Sequence, residues 1–206
     1  MLKIWGRTNS INVQKVMWTV AELDLPHERT DVGGQFGGLD TPAYGTMNPN
    51  RLIPVIQDEG AVIWESNVIV RYLAAKYGAG SLWPEDPAAR AAADQWMDWH
   101  LTKVMPDLHP VFWGLVRTPP ERRSMTVIET AAERLARTFN LLDDHLANSA
   151  YMAGDHLTMG DIPLGAATYR YYTLPIRRPA LPYVQAWYDR LQEREAFHKH
   201  VMIPLT

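Results

Sequence analysis

The spacing of apolar residues changes period repeatedly along the first third of the chain. Leu2 to Trp5 is a short apolar-rich run, after which Val13, Val16, Met17, Val20 and Leu23 recur three and four residues apart. The run reads as a strand and the recurrence as an amphipathic helix, which Pro26 stops. His27 to Val32 predicts a second strand. It runs into GGQFGGLDTPAYGTMNPN, a Gly-rich loop with room for one short helix. Val55 to Gln57 and Ala61 to Trp64 are two further strands, turned by a tight hairpin at Asp58-Glu59-Gly60. Ser66 is placed to cap a helix with apolar positions Val68, Ile69, Tyr72 and Leu73, and Gly78 to end it. The order is β-α-β-loop-β-β-α. Its first connection suits a parallel crossover and its last pair an antiparallel hairpin.

Gly78 to Pro87, GAGSLWPEDP, has the composition of a linker, and no strand pattern follows it. Ala88 to Met105 reads as a helix. After Pro120, the residues Met125, Ile128, Ala132, Leu135, Phe139, Leu142 and Leu146 step by three and four, which predicts one packing seam of a bundle. Leu157 to Ile162 is a further helix start. Thr158 and Asp161 have capping-box spacing, and Leu157 and Ile162 are placed as the flanking staple. Pro163 falls just beyond that first turn, where it should remove a hydrogen bond and bend the helix. Two short helices are predicted near Pro182 to Arg190 and Glu193 to His200. The expected architecture is an α/β domain over residues 1–77, a linker over 78–87 and an all-α domain over 88–206.

Composition narrows the function classes more than the fold. The 206 residues carry a net charge of −3 with no long run of one sign, so nothing points to nucleic acid or an anionic membrane as partner. Without a single cysteine, the chain has no disulfide, no Cys-held metal and no protein thiol as nucleophile. The N-terminal segment has no apolar core of signal-peptide length, and no run reaches the ~18 apolar residues of a membrane span. The expectation is a cytoplasmic protein. Eight Trp and nine Tyr leave aromatic surface for cores, interfaces or a pocket.

Three junctions carry candidate chemistry. Ile53-Pro54 precedes a strand, where a proline is confined to starts, edges and bulges. A cis bond there would leave the Ile53 backbone as an open edge for an extended peptide ligand. At Trp64-Glu65-Ser66-Asn67 a strand meets a helix, so free N–H groups and the positive helix end form an anion site. Glu65 can receive an ammonium beside it, which together suits the α-amino-acid end of a ligand. Ser66 as a plain N-cap is the competing reading. Ser10 and Asn12, in GRTNSINVQKV, stand at the other strand-to-helix junction. Either they cap the helix, or they hold a thiol brought by a ligand. A free thiol with a pKa of ~8.5 is only about 3% ionised at pH 7. Lowering it by roughly two units makes the thiolate the majority form, for about 2.7 kcal/mol.

GRTNSINVQKVMW after the first strand, NPNRLIPVI around Pro54, WESNVIVRYLAAKYG and LTMGDIPLGAA follow one another over nearly the whole chain. In that order they resemble the cytosolic-type glutathione transferases, most nearly the bacterial, theta-like branch with a Ser- or Asn-type site. The resemblance implies a thioredoxin-like N-terminal domain with a cis Pro54, an all-α helical-bundle C-terminal domain and a homodimer. It implies glutathione as co-substrate, with conjugation to a small apolar electrophile of the kind met in detoxification. Carried over by position, Ser10 would donate to the glutathione sulfur, with Asn12 sharing or replacing that role. Ile53 would pair with the cysteinyl part, and Glu65 and Ser66 would hold the γ-glutamyl end. Gln35 and Arg51 are candidates for the glycine carboxylate.

Departures from the family matter too. No Tyr ends the first strand, there is no Cys, and the Ser-rich motif of maleylacetoacetate isomerases is absent. The electrophile pocket is expected from Trp99, Met105, His109, Phe112, Trp113, Tyr169 and Tyr172, each of which competes with a core role. His198 and His200 lack a third spaced ligand and read as a solvated helix. Asp94 and Asp98 read as facing solvent or a partner subunit. A glutathione-dependent dehalogenase, isomerase or peroxidase, and a non-catalytic binding or assembly module, are the rival functions.

Overall fold

A computed structural model describes residues 1–206. The chain folds as β1 (Leu2–Trp5), α1 (Ile11–Glu22), β2 (His27–Thr30), α2 (Pro42–Met47), β3 (Val55–Asp58), β4 (Ala61–Trp64) and α3 (Ser66–Tyr77). Helices alone follow: α4 (Pro87–Trp99), α5 (Met105–Phe112), α6 (Met125–Leu146), α7 (Asp161–Thr173), α8 (Pro182–Gln192) and α9 (Glu195–His200). This is the expected thioredoxin-like α/β unit followed by an all-α unit.

The sheet order is β2-β1-β3-β4, with β1 and β2 parallel and the other pairs antiparallel. Ile4 stands opposite Ile56, and both are fully buried under α1 and α3. The β3–β4 turn puts Glu59 and Gly60 at φ 49° and 91°, the mirror-image turn whose twist matches the strands. Gly6 sits at φ 154°, where an added Cβ would lie 2.5 Å from Val13 Cγ2. A side chain there would push α1 off the sheet.

Helix α1 is buried on nearly every side. Val13, Val16, Met17 and Val20 face the sheet, while Ile11 and Trp18 enter the larger helical core. A helix apolar all round belongs between two layers, and α1 is that shared wall. On its far side Gly165 of α7 comes so close that a Cβ would meet the Trp18 ring at 2.8 Å. Polar clips fasten the two units. Arg71 of α3 binds Asp94 at 2.5 Å and Asp98 at 2.6 Å. Arg194 grips Glu22 with two bonds of 2.8 and 2.6 Å. Asp94 and Asp98, expected to face solvent or a partner, both pair with Arg71, with Asp94 partly covered and Asp98 still open to solvent.

Four sequence expectations need correction. Helix α4 does not stop near Met105: helical backbone runs from Pro87 to Arg117, with π-helical turns at His100–Val104 and Trp113–Arg117. Pro106 and Pro110 have no N–H to give, and widened turns let a helix continue past such gaps. Pro163 breaks nothing, because α7 begins at Asp161 and the third residue of a helix has no intrahelical partner for its N–H. Met125 is 48% exposed, so the α6 seam starts one step later, at Ile128. His200, expected in solvent, is half-covered, and its pKa is lowered by burial and by Lys199, His27 and Arg29.

Candidate active site

The β1–α1 turn delivers Ser10 to the N-cap position of α1, with φ −85° and ψ 124°. Its carbonyl accepts from Gln14 N–H at 2.9 Å, as a cap carbonyl should. Its side chain makes no capping bond, so the hydroxyl is unspent at the positive end of the helix. Two residues on, Asn12 is the only residue between Ile11 and Val20 that is not buried. Its Oδ1 accepts from Ser66 Oγ at 3.2 Å. That leaves the Asn12 Nδ2 group, a donor only, free beside Ser10.

Ser66 is therefore not the cap expected of it. It is the first residue of α3, 4% exposed, and the cap position belongs to Glu65. Glu65 holds φ 69° and ψ 111°, a conformation that costs a non-glycine residue about 1–3 kcal/mol. The strain turns its exposed carboxylate out of the strand line while the Ser66 and Asn67 N–H groups stay at the open helix end. The Ser66–Asn12 hydrogen bond joins this anion corner to the α1 corner. Beneath both, Lys15 is fully buried with Nζ 3.1 Å from Asn67 Oδ1.

Ile53-Pro54 is cis, as expected. Neither the N–H nor the carbonyl of Ile53 bonds within the protein. The neighbouring Leu52 carbonyl, by contrast, takes Tyr44 Oη and Asn48 Nδ2, each at 2.9 Å. The segment is thus pinned at Leu52 and open at Ile53. Arg51, a candidate carboxylate ligand, gives its Nη1 to the carbonyls of Leu39 and Thr41 at 2.7 and 3.0 Å. It holds the Gly-rich loop. Gln35 lies in a cavity of about 440 Å³ with Thr8, Asn9 and the C-terminal Thr206, next to the Ser10 turn.

A second cavity, of about 140 Å³, opens directly on Ser10 and Asn12. Met105, His109, Phe112 and Trp113 line it. Trp99, Tyr169 and Tyr172 do not. Trp99 packs edge-on against Trp96. Tyr169 donates to the Ile203 carbonyl at 2.6 Å and so ties down the C-terminal tail. Tyr172 packs against Tyr171 and Tyr188, and burial pushes its hydroxyl up to about 12. The residues that sequence reasoning missed are Arg7, Arg117 and Arg170, all on the cavity wall. One signal was present for the last: Arg170 interrupts LGAATYRYYTL with no acidic residue within four positions.

Comparison with known proteins places the chain in a family. The family model described as the glutathione S-transferase N-terminal domain matches residues 9–76, and that of the C-terminal domain matches residues 125–190. The chain is 41% identical to glutathione S-transferase GstB of Escherichia coli, over the full length of both. It is 32% identical to glutathione S-transferase 3 of Zea mays, covering 99% of this chain and 95% of that one. Among solved structures it is similar to the theta class glutathione S-transferase of Xanthomonas axonopodis pv. citri with glutathione bound. The TM-score is 0.96 at 45% identity, over 100% of this chain and 99% of that one.

Proposed function

The chain belongs to the glutathione S-transferase family, and from that premise we propose that it ionises glutathione at Ser10 and conjugates the sulfur to a small electrophile. The observation that carries this is the unspent Ser10 hydroxyl at the N-terminus of α1, next to the free amide of Asn12. Two donors and a helix end aimed at one point favour the anionic form of a thiol over its neutral form. The thiol proton leaves to water, so no protein base is required.

In this reading glutathione lies extended across the cleft. Its cysteinyl N–H and carbonyl pair with the free backbone of Ile53, beside Pro54. Its γ-glutamyl ammonium meets Glu65, and the matching carboxylate meets the N–H groups at the start of α3, beside Ser66. Its glycine end runs toward Gln35, with Arg51 holding the loop that carries Gln35. The N-terminal unit, residues 1–77, binds glutathione, and the helical unit beyond the 78–87 linker supplies the electrophile pocket through Met105, His109, Phe112 and Trp113. Rate comes from thiolate fraction and from holding both reactants together.

No helix is long and apolar enough to cross a membrane, and a cytoplasmic location is part of the proposal. So is a homodimer. Val62 and Trp64 of β4 and Val68 of α3 are exposed apolar side chains on neighbouring elements, the kind of patch that a second copy covers.

The test is a titration of bound glutathione by the ultraviolet absorbance of its thiolate, for the wild type, Ser10→Ala and Asn12→Ala. The expected result is a thiol pKa about two units below the free value of ~8.5, rising by about one unit in Ser10→Ala and by less in Asn12→Ala. A wild-type value equal to that of free glutathione would mean that the fold carries glutathione without activating it.

A further inference from the structure

The wall of the 140 Å³ cavity is chemically lopsided. Its twelve lining residues include Arg7, Arg117 and Arg170 and not one Asp or Glu. The ion pairs of the molecule use other arginines: Arg29, Arg71, Arg134 and Arg194. Arg170 is only 5% exposed. One of its nitrogens, Nη2, donates to the Asn9 carbonyl at 3.2 Å, which helps set the Ser10 turn. Its Nε is buried without any partner, as is Nε of Arg117. Burying an unpaired cation is costly, and three that face one cavity repel each other as well. The guanidinium of Arg170 is destabilised to a pKa of about 9 by burial, then by Arg117 and Arg7. The Arg117 pKa is lowered by burial and then by Arg7. A protein that needed these residues only for packing would do better with neutral ones.

The cationic wall is also aromatic. The Arg170 guanidinium stands 4.0 Å from the Phe112 ring centroid, and that of Arg117 lies 5.5 Å from Phe112 and 5.9 Å from Trp113. Such contacts hold a guanidinium in place, and both groups line the cavity. A guanidinium suits a carboxylate, which it can bind with two parallel bonds.

We propose that the electrophile for this transferase site carries a carboxylate on a small, flat apolar frame, and that Arg117 and Arg170 bind that carboxylate while Ser10 and Asn12 hold the attacking sulfur. The inference rests on the glutathione reading above and deepens it. Glutathione's own carboxylates are not the ones concerned. In that reading they lie at the start of α3 and near Gln35, outside this wall. The cavity volume sets the size, roughly a single ring or a short unsaturated chain. In the reaction the sulfur forms a bond to the electrophilic carbon. Either a leaving group departs with its bonding pair, or the π pair of an activated double bond takes a proton from solvent. The carboxylate is unchanged and serves as the handle that orients the frame. Arg7, on the same wall and against the Gly33–Gly34 turn, adds attraction on approach.

The experiment compares the binding of three glutathione thioethers to the protein by calorimetry: S-(para-carboxyphenyl)glutathione, S-(para-carbamoylphenyl)glutathione and S-methylglutathione. The two aryl compounds match in shape and differ in charge. The carboxylate is expected to bind about tenfold tighter than the amide, the equivalent of one charge-assisted hydrogen bond. In Arg117→Gln, at a half-exposed position, the preference is expected to fall to within about twofold, with S-methylglutathione still bound. Arg170→Lys, which keeps the charge and loses the fork, should retain part of the preference. Equal affinities for carboxylate and amide in the wild type overturn the inference and leave the glutathione reading intact, as does a preference that survives Arg117→Gln undiminished. If S-methylglutathione itself does not bind, the glutathione reading fails and this inference falls with it.

Discussion

Two helix starts in this molecule share a small hydroxyl residue and a nearby polar partner, and they use them in opposite ways. At α7 every polar atom is consumed locally. Asp161 Oδ1 accepts from Met152 N–H at 2.9 Å and from Trp187 Nε1 at 3.0 Å. Its Oδ2 accepts from the Thr158 N–H at 2.9 Å and the Thr158 hydroxyl at 3.2 Å. The Thr158 oxygen in turn accepts from Gly160 N–H at 3.3 Å. At α1 the Ser10 hydroxyl makes no capping bond, the Asn9 Oδ1 is buried without a partner, and the Asn12 amide is free. Helix starts are alike in sequence but not in saturation. The saturated one is structure, and the unsaturated one has donors left for a ligand.

The largest effect expected from this contrast is at Asp161. Burial pushes its carboxyl up to about 6, against the pull of the surrounding donors. Asp161→Ala strands two backbone N–H groups, an indole N–H and a hydroxyl in the core. A loss of about 3–4 kcal/mol is expected from denaturant unfolding. A loss under about 1 kcal/mol would show that the network can be replaced by water, and the contrast with α1 would lose its structural half.

Next in size is a buried charge that belongs to neither start. Lys15 is fully buried one turn into α1, and its ammonium is destabilised to a pKa of about 7 by burial, opposed by Glu65 and reinforced by Arg170. The native value lies below the unfolded 10.5, so the unfolded chain binds more protons between pH 7 and 10.5. Stability attributable to this group therefore rises with pH across that window and is lowest below about 7. Lys15→Met should raise stability by about 2 kcal/mol at pH 6, net of the orphaned Asn67 Oδ1, and the gain should shrink and then reverse toward pH 10, where the charge penalty is gone and the orphaned oxygen remains. A pH-independent gain would mean that packing, not charge, was at stake.

The strand and helix order could be read from the chain because period, proline and turn residues act locally. The β3–β4 hairpin and the α6 seam from Ile128 onward stood in short stretches, whereas the cis Ile53-Pro54 bond followed from the family resemblance and not from local spacing. Positions that depend on what a face meets could not be read so. Trp99, Tyr169 and Tyr172 have the same helical spacing as Met105, Phe112 and Trp113, but spacing tells which residues share a face, not whether a cavity lies opposite. Ser66 missed the cap by one residue because α3 starts one residue early, with Glu65 at positive φ in the cap position. Arg7, Arg117 and Arg170 come from a turn and two distant helices, and only the fold brings three unpaired cations to one wall. The continuation past Pro106 and Pro110 was hidden because it depends on π turns, which a proline count does not foresee.

The smallest effects make the sharpest comparison, because they come from one kind of substitution made at both helix starts. Thr158→Ala removes a hydroxyl that donates once and accepts once inside the core, so it should destabilise the protein by about 1 kcal/mol. Ser10→Ala removes a hydroxyl with no protein partner, so it should shift stability by less than about 0.5 kcal/mol while raising the pKa of bound glutathione. Both variants lose one oxygen at a helix start, and both are read by the same denaturant midpoint and the same thiolate titration. The expected result is a crossing: Thr158→Ala moves the first readout and not the second, and Ser10→Ala the reverse. If the two substitutions cost equal stability, Ser10 is an ordinary cap after all, and the thiolate must be held by Asn12 and the open helix end alone.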